Sequence, residues 1–318
     1  MKPLRILACS LIAPWLIGAA HAQMVGIMTT PVGSFSHSAG TAIAKVLNEK
    51  ANVKAVVQAQ ASTGFEAVEA GNVEFNLSNS FDATFFATGK GEYEGTGVKK
   101  NFRHVGALMP YRVAFHVRAD SDIKSIAELK GKRVGSAFNA QKTIGRIIEA
   151  HLASAGLSYK DVNAVPVPNV VRQAEDFTSG KIDVLFFAVG SAPVKQAAAS
   201  VGGLRVLEVE DSPEAVKRVQ DILPGAYILQ VNPAPNIEGI TKPTKLVAFD
   251  MVMNTSAKVS DDVVYKAAKA LYENKNELIG TFPAFRLFDP GKMAKPSVGV
   301  EWHPGAVKFY KEAGLWKQ

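Results

Sequence analysis

The sequence predicts an α/β protein of two lobes: two mainly parallel sheets flanked by helices and joined by two crossing strands. Three observations lead there. Strand-like and helix-like stretches alternate along the chain, the pattern of βαβ units and parallel sheets. The run "IDVLFFA" from Ile182 to Ala188 is almost continuously apolar, as in a strand covered on both faces. Two long extended pieces, near 104–117 and 244–253, divide the chain unevenly. Read as crossings between lobes, they build lobe one from both ends of the chain, 23–111 and 245–318, and lobe two from the middle, 112–244. A double crossing is a hinge that closes on ligand.

The elements follow in order. Met24 to Met28 is a short apolar strand that turns at Thr29-Thr30-Pro31-Val32-Gly33-Ser34 into a helix from about Ser38 to Glu49, with Ala42, Ile43, Val46 and Leu47 at helical spacing. Val53 to Gln60 alternates as a strand, and Ser62-Thr63-Gly64 opens a short helix, Phe65 to Ala70. Phe75 to Leu77 is a buried strand ending at Ser78-Asn79-Ser80, before a helical stretch to Thr88 and a glycine-rich loop to Gly97. The first long extended piece follows, then Asp120 to Leu129, where Ser125-x-x-Glu128 resembles a capping box. Lys132 to Ser136 is a strand. Asn139-Ala140-Gln141-Lys142-Thr143 opens a helix that stops at Gly156. Strand Val162 to Val167, helix Val170 to Thr178, strand Ile182 to Ala188 and strand Leu204 to Val209 come next. After Asp221 the chain is rich in proline. The second extended piece starts at Thr244, and helices are expected over Asp261 to Ile279 and His303 to Ala313.

The N-terminus reads as a secretory leader. Lys2 and Arg5 precede an apolar run from Ile6 to Ala20, and Ala20-His21-Ala22 is a small-residue cleavage pattern, with the cut expected after Ala22 and the mature chain in the periplasm. The run is shorter than the roughly 20 residues that span a membrane. Cys9, the one cysteine, lies in this segment. The mature chain would therefore hold no disulfide, cysteine nucleophile or cysteine metal site. Roughly 300 residues can bury about 75% of their unfolded surface, enough for a stable core without cross-links. The net charge of +7 falls to +5 once Lys2 and Arg5 leave. No dense basic run marks a nucleic-acid surface, and the mild positive bias suits an anionic solute.

In open α/β sheets ligands bind beyond the carboxyl ends of strands, at helix starts whose N–H groups and partial positive charge favour anions. Four such turns combine small or hydroxyl residues with a following helix: Ser34 to His37, Ser62-Thr63, Asn79-Ser80 and Asn139 to Thr143. Each hydroxyl or amide could equally be a plain helix cap. Expected ligand contacts are Ser34, Ser36, His37, Ser62, Thr63, Asn79 and Ser80 on lobe one. On lobe two they are Asn139, Gln141, Lys142 and Ser191. Arg112 lies among apolar neighbours in the first crossing and could clamp a carboxylate, or form an ordinary salt bridge. Lys142, in a first helical turn, opposes the helix dipole. No Walker or Rossmann glycine pattern, zinc-binding histidine spacing or nucleophile elbow is present, so no cofactor, metal or catalytic constellation is expected. The function read from these residues is solute binding. A secreted enzyme on the same scaffold and a ligand-sensing partner of a membrane kinase are the alternatives.

Four stretches resemble the TRAP-associated extracytoplasmic immunogenic (TAXI) solute receptors: "GSFSHSAGTAIAKVLNE", "VRADSDIKSIAELKGKRV", "HLASAGLSYKDV" with "GKIDVLFFAVGSAP", and the ending "HPGAVKFYKEAGLW". The resemblance covers essentially the whole mature length. It implies the type II-like periplasmic-binding-protein fold, a carboxylate ligand such as glutamate or a dicarboxylate, and delivery to an ion-driven TRAP permease, usually with fused integral subunits. At two turns the chain departs from the family pattern. The family's paired tyrosines fall on Ser36 and His37, and its lobe-two Ser-Gly-Thr falls on Asn139-Ala140-Gln141.

Overall fold

The structure, a computed structural model, describes residues 24–139 and 141–317. The leader and its cleavage site lie outside the described residues. Strands β1 (Met24–Thr29), β2 (Lys54–Ala59) and β3 (Phe75–Asn79) alternate with helices α1 (Phe35–Lys50), α2 (Phe65–Ala70) and α3 (Ser80–Thr88). The long strand β4 (Phe102–Arg118) then leads to β5 (Arg133–Ala137), α4 (Lys142–Ser154), β6 (Asn163–Val167), α5 (Val170–Thr178), β7 (Leu185–Ala188), α6 (Ala192–Val201), β8 (Leu204–Val206), α7 (Pro213–Ile222) and β9 (Tyr227–Val231). A second long strand, β10 (Thr244–Ser256), returns to α8 (Asp261–Glu273), α9 (Lys275–Thr281) and α10 (Pro304–Glu312).

The two crossing strands are neighbours. β4 and β10 pair antiparallel from Phe102↔Ser256 to Val113↔Val247. At one end β10 also pairs with β3, up to Met251↔Asn79. At the other, β4 pairs with β7 from Val113↔Ala188 onward, and β10 pairs with β9 up to Ala248↔Tyr227. Between these sets, Pro110 and Tyr111 pair only with Asp250 and Phe249. This two-stranded ribbon is the thinnest connection between the lobe built on β1–β3 and the lobe built on β5–β9.

The sheets are less parallel than the sequence implied. Eight strands form one mixed sheet, order β2-β1-β3-β10-β4-β7 with β8 on β4 and β9 on β10, and β5–β6 pair separately. Among the described strands the parallel ladders are β1–β2, β1–β3 and β5–β6, with one further parallel bridge between His104 and Trp302. A chain that leaves one lobe and returns by the adjacent strand must lay the two antiparallel. Three elements went unread: α6, α7 and β9. The helix expected over 261–279 breaks at Asn274, whose φ of −122° and ψ of 42° end α8 and begin α9. The capping box expected at Ser125 does not form. Glu128 Oε2 instead accepts from the Lys124 N–H at 2.7 Å, and the box appears at Ser158 and Asp161.

The C-terminal "HPGA" stretch is scaffold. His303 Nδ1 accepts from the Gly305 N–H at 3.1 Å, capping α10, and Pro304 takes the first turn, where a missing N–H costs nothing. Gly305 lies on the Asp261 backbone, where an added Cβ would come within 2.3 Å of a carbonyl oxygen. One turn on, the buried Tyr310 donates its hydroxyl to the Val105 carbonyl at 2.8 Å, anchoring α10 to β4.

Candidate ligand-binding cleft

The cleft is assembled from strand ends and helix starts. Ser34 caps α1: its Oγ accepts from the His37 N–H at 3.2 Å and from Thr30 Oγ1 at 2.8 Å, and Ser36 Oγ lies 2.6 Å from Thr30 Oγ1. This ring of three hydroxyls sits beside the first-turn amides of Phe35 and Ser36, which have no intrahelical acceptor. Asn79 occupies the cap position of α3, yet its side chain makes no capping hydrogen bond. Across the gap, Gln141 precedes α4 and its Oε1 accepts from the Val170 N–H at 3.1 Å, which ties the starts of α4 and α5 together. The turn into α4 holds Ala137 and Phe138 at φ of 68° and 29°, left-handed backbone that non-glycine residues rarely adopt.

These parts enclose a cavity of about 50 Å³. One wall is Thr30, Ser34, Phe35, Ser36, Thr63, Leu77, Ser78 and Asn79. The facing wall is Gln141, Thr143, Ile144, Ile147, Val170 and Phe186 to Ala188, and the ribbon residues Tyr111, Val113 and Met251 form the floor. Both lobes thus contribute, and Asn79 and Gln141 line one space. Among the described residues the lining holds no Asp, Glu, His, Lys or Arg.

Of the residues singled out from sequence, Ser34, Ser36, Thr63, Asn79 and Gln141 line the cavity. His37, Ser62, Ser80, Asn139, Lys142 and Ser191 do not. Ser62, Asn139 and Lys142 are exposed to solvent, and Ser191 turns its hydroxyl back to the Ala188 carbonyl at 2.8 Å. Arg112 does not line it either. Successive strand residues point to opposite faces, so with Tyr111 and Val113 at the cavity, Arg112 projects behind the sheet. Burial there pushes its guanidinium below the usual arginine range. Sequence reasoning missed Tyr111, Thr143 and the pair Phe186-Phe187. Tyr111 stacks on Phe249 with centroids 5.5 Å apart and meets Phe35 edge-on at 4.8 Å. Burial raises its phenol well above the ordinary range, so it is a neutral hydroxyl, and no hydrogen-bond partner is found for it among the described residues.

Side chains also meet across the cleft. Thr143 Oγ1 donates to Asp82 Oδ2 at 3.2 Å, and Arg146 Nε donates to Glu92 Oε1 at 2.6 Å, with the Arg146 guanidinium 5.1 Å from the centre of the Phe85 ring. Asp82 is fully buried and also accepts from Tyr93 Oη at 3.2 Å. Burial raises its carboxyl to about 7. The buried His104 and His116 serve the scaffold: each ring bonds a backbone carbonyl, and burial pushes both down to about 4, keeping them neutral. Among the described residues, no group of three His, Cys, Asp or Glu could hold a metal ion, and no helix is long and apolar enough to cross a membrane.

Two α/β lobes, a two-stranded connection and a cleft between them are the architecture of periplasmic binding proteins, and solved structures of that class share it. A periplasmic transporter structure matches with a TM-score of 0.58 at 16% identity, over 93% of this chain and 94% of that one. Periplasmic binding protein BugD matches at 0.59 and 12%, over 93% and 99%. The alkanesulfonate-binding protein SsuA from Xanthomonas axonopodis pv. citri, bound to MOPS, matches at 0.52 and 15%, over 94% and 96%. The chain itself belongs to the NMT1-like family, whose model matches residues 27–314.

Proposed function

We propose that this chain is the periplasmic solute-binding receptor of a transporter, of the TAXI kind that serves an ion-driven TRAP permease with fused integral subunits, and that its cargo is a small anionic metabolite. One observation carries the reading: a cavity walled by helix starts from both lobes, with a two-stranded ribbon as the strand pairing between them among the described residues. A solute that touches both walls stabilises the closed form by its extra contacts, and closure is the resulting population shift. The cavity of about 50 Å³ is far below the roughly 300–1,000 Å³ of ordinary ligand pockets, so a solute enters when the lobes part. The leader-like N-terminus supports a periplasmic location, and the four TAXI-like stretches support the permease type.

The lining favours binding over turnover, because it offers no carboxylate, imidazole or amine to move a proton. The test is a calorimetric and thermal-shift screen of the chain lacking residues 1–22 against amino acids and carboxylates. The expected result is one ligand bound per chain, unaltered after incubation. A ligand at 100 times its dissociation constant adds about 2.7 kcal/mol to native stability. Chemical conversion of a bound compound, or no binding across the panel, would sink the receptor reading. Uptake by membrane vesicles bearing the neighbouring permease, driven by an ion gradient without ATP, tests the transporter type.

A further inference from the structure

Resting on the receptor reading, we propose that the cleft takes a small carboxylate with a single charge and a branched aliphatic or aromatic body, and discriminates against glutamate and dicarboxylates. The cavity has two chemically distinct ends. At the polar end, Ser34 and Ser36, 2% and 5% exposed, gather with Asn79 at the starts of α1 and α3. These helices are 16 and 9 residues long, and their first-turn amides and partial positive charge suit one carboxylate. The hydroxyl ring of Thr30, Ser34 and Ser36 can rotate a proton outward to the same oxygens. At the other, on the facing wall and the floor, Ile144, Phe186, Phe187 and Tyr111 present hydrocarbon and ring faces, with Gln141 and Thr143 as the polar groups beside them.

What the walls lack sets the charge limit. A second carboxylate, or an ammonium, would be desolvated with no counter-ion in the lining. Of the charged groups beside the walls, Lys142 is exposed to solvent, and those packed behind the lining are committed. Glu92 is paired with Arg146. Asp82 is bonded to Thr143 and Tyr93, behind the lining. Arg112 faces away from the cavity. One anionic head is met by dipoles and hydroxyls; on the facing wall Gln141 Oε1 and the Thr143 hydroxyl are already bonded, to the Val170 N–H and to Asp82, and no cation lines the cavity to meet a second charge.

Isothermal titration of the chain lacking residues 1–22 decides this with matched probes. 4-Methyl-2-oxopentanoate is expected to bind at least ten-fold more tightly than 2-oxoglutarate or glutamate. 4-Methylpentanoate is expected to bind at least ten-fold more tightly than 4-methylpentanamide, which keeps the body and removes the charge. Tighter binding of a dicarboxylate overturns the inference and leaves the receptor intact, and equal binding of the amide overturns the single-charge head. If none of these probes binds while another compound of the screening panel does, the inference alone fails. If nothing binds, the receptor reading fails with it. Ile144→Arg, at a half-buried position on the apolar wall, places a cation there. It is expected to raise 2-oxoglutarate affinity at least ten-fold while weakening 4-methyl-2-oxopentanoate, and an unchanged preference would overturn the assignment of this wall to the ligand's body.

Discussion

Asp82→Asn tests how the cleft is held shut. Asp82 lies in the first turn of α3, wholly buried, and accepts hydrogen bonds from Thr143 of the facing lobe and from Tyr93. Burial raises its carboxyl from 3.8 to about 7, against the lowering effect of those two bonds and with a smaller push from Glu92 and Glu66. The unfolded chain gives up this proton near pH 4, the folded chain only near pH 7. Between those values the native state binds the extra proton. Stability from this group is therefore full below about pH 4 and is lost as pH rises to 7. About three pH units at 1.36 kcal/mol each put the loss at about 4 kcal/mol. Asparagine has no proton to lose, and its altered hydrogen bonding costs about 1 kcal/mol at every pH. The variant should be about 1 kcal/mol less stable than the parent at pH 4 and about 3 kcal/mol more stable at pH 8. Urea titrations at pH 4, 6 and 8 read both numbers, and parallel pH profiles for the two proteins would refute the reasoning. Opening the lobes withdraws Thr143 and hydrates Asp82, so closure takes up a proton. Ligand affinity in the parent is then expected to tighten from pH 8 to pH 6, a dependence the variant loses.

Arg146→Met leaves the Glu92 carboxylate unpaired, with one oxygen already buried and unpartnered; small-angle scattering should show a larger radius of gyration for the ligand-free chain, and dissociation should quicken several-fold. Arg112→Ala should leave ligand affinity within about two-fold, because the side chain projects away from the cavity, whereas Tyr111→Phe, which removes a hydroxyl from the cavity lining, should weaken binding by about 1 kcal/mol; calorimetry on the two variants separates them. Gly106→Ala would set a methyl group 2.4 Å from the Tyr310 hydroxyl, and chemical denaturation should show a loss of about 1–3 kcal/mol, partly relieved when Tyr310→Phe is added.

The hydrophobic pattern made the lobes legible but not the direction of their strands. Period-two and unbroken apolar runs announce a strand without saying which neighbour it meets, so the antiparallel β4–β10 pair went unread even though both of its strands were found. The same limit governs the site. Placing the first crossing near residue 111 brought attention to Arg112 because it was charged, but side-chain parity belongs to the structure, and one residue of offset separates the cavity floor from the back of the sheet. Helix starts were more legible, since Ser34, Thr63, Asn79 and Gln141 are short polar residues that follow strands. The apolar half of the site could not be distinguished from core: Phe186 and Phe187 end a buried strand in the manner of any α/β interior. For α7 the signals were in the chain. Ser212 caps it, donating no proton but accepting from the Ala215 N–H at 3.2 Å, and Pro213 takes its first position. The proline-rich stretch follows only after Asp221, beyond most of α7.

The place where the lobes join is also the place where the cavity has its floor. Pro110 and Tyr111 pair only with Asp250 and Phe249, so a change in the angle between lobes concentrates its dihedral changes there. Tyr111 belongs to that stretch, lines the cavity, and stacks on Phe249 across the ribbon. A ligand packed on Tyr111 therefore touches the bending element as well as the two walls, and it resists opening by holding the ring stack in its closed geometry. Behind the ribbon, Tyr227 Oη donates to Asp250 Oδ1 at 3.2 Å and Lys295 pairs with the same carboxylate. That cluster joins β9 of one lobe to the C-terminal segment of the other on the face opposite the ligand. Opening the cleft must compress or rearrange it, so the two faces of one short ribbon set the balance between the open and closed forms from opposite sides.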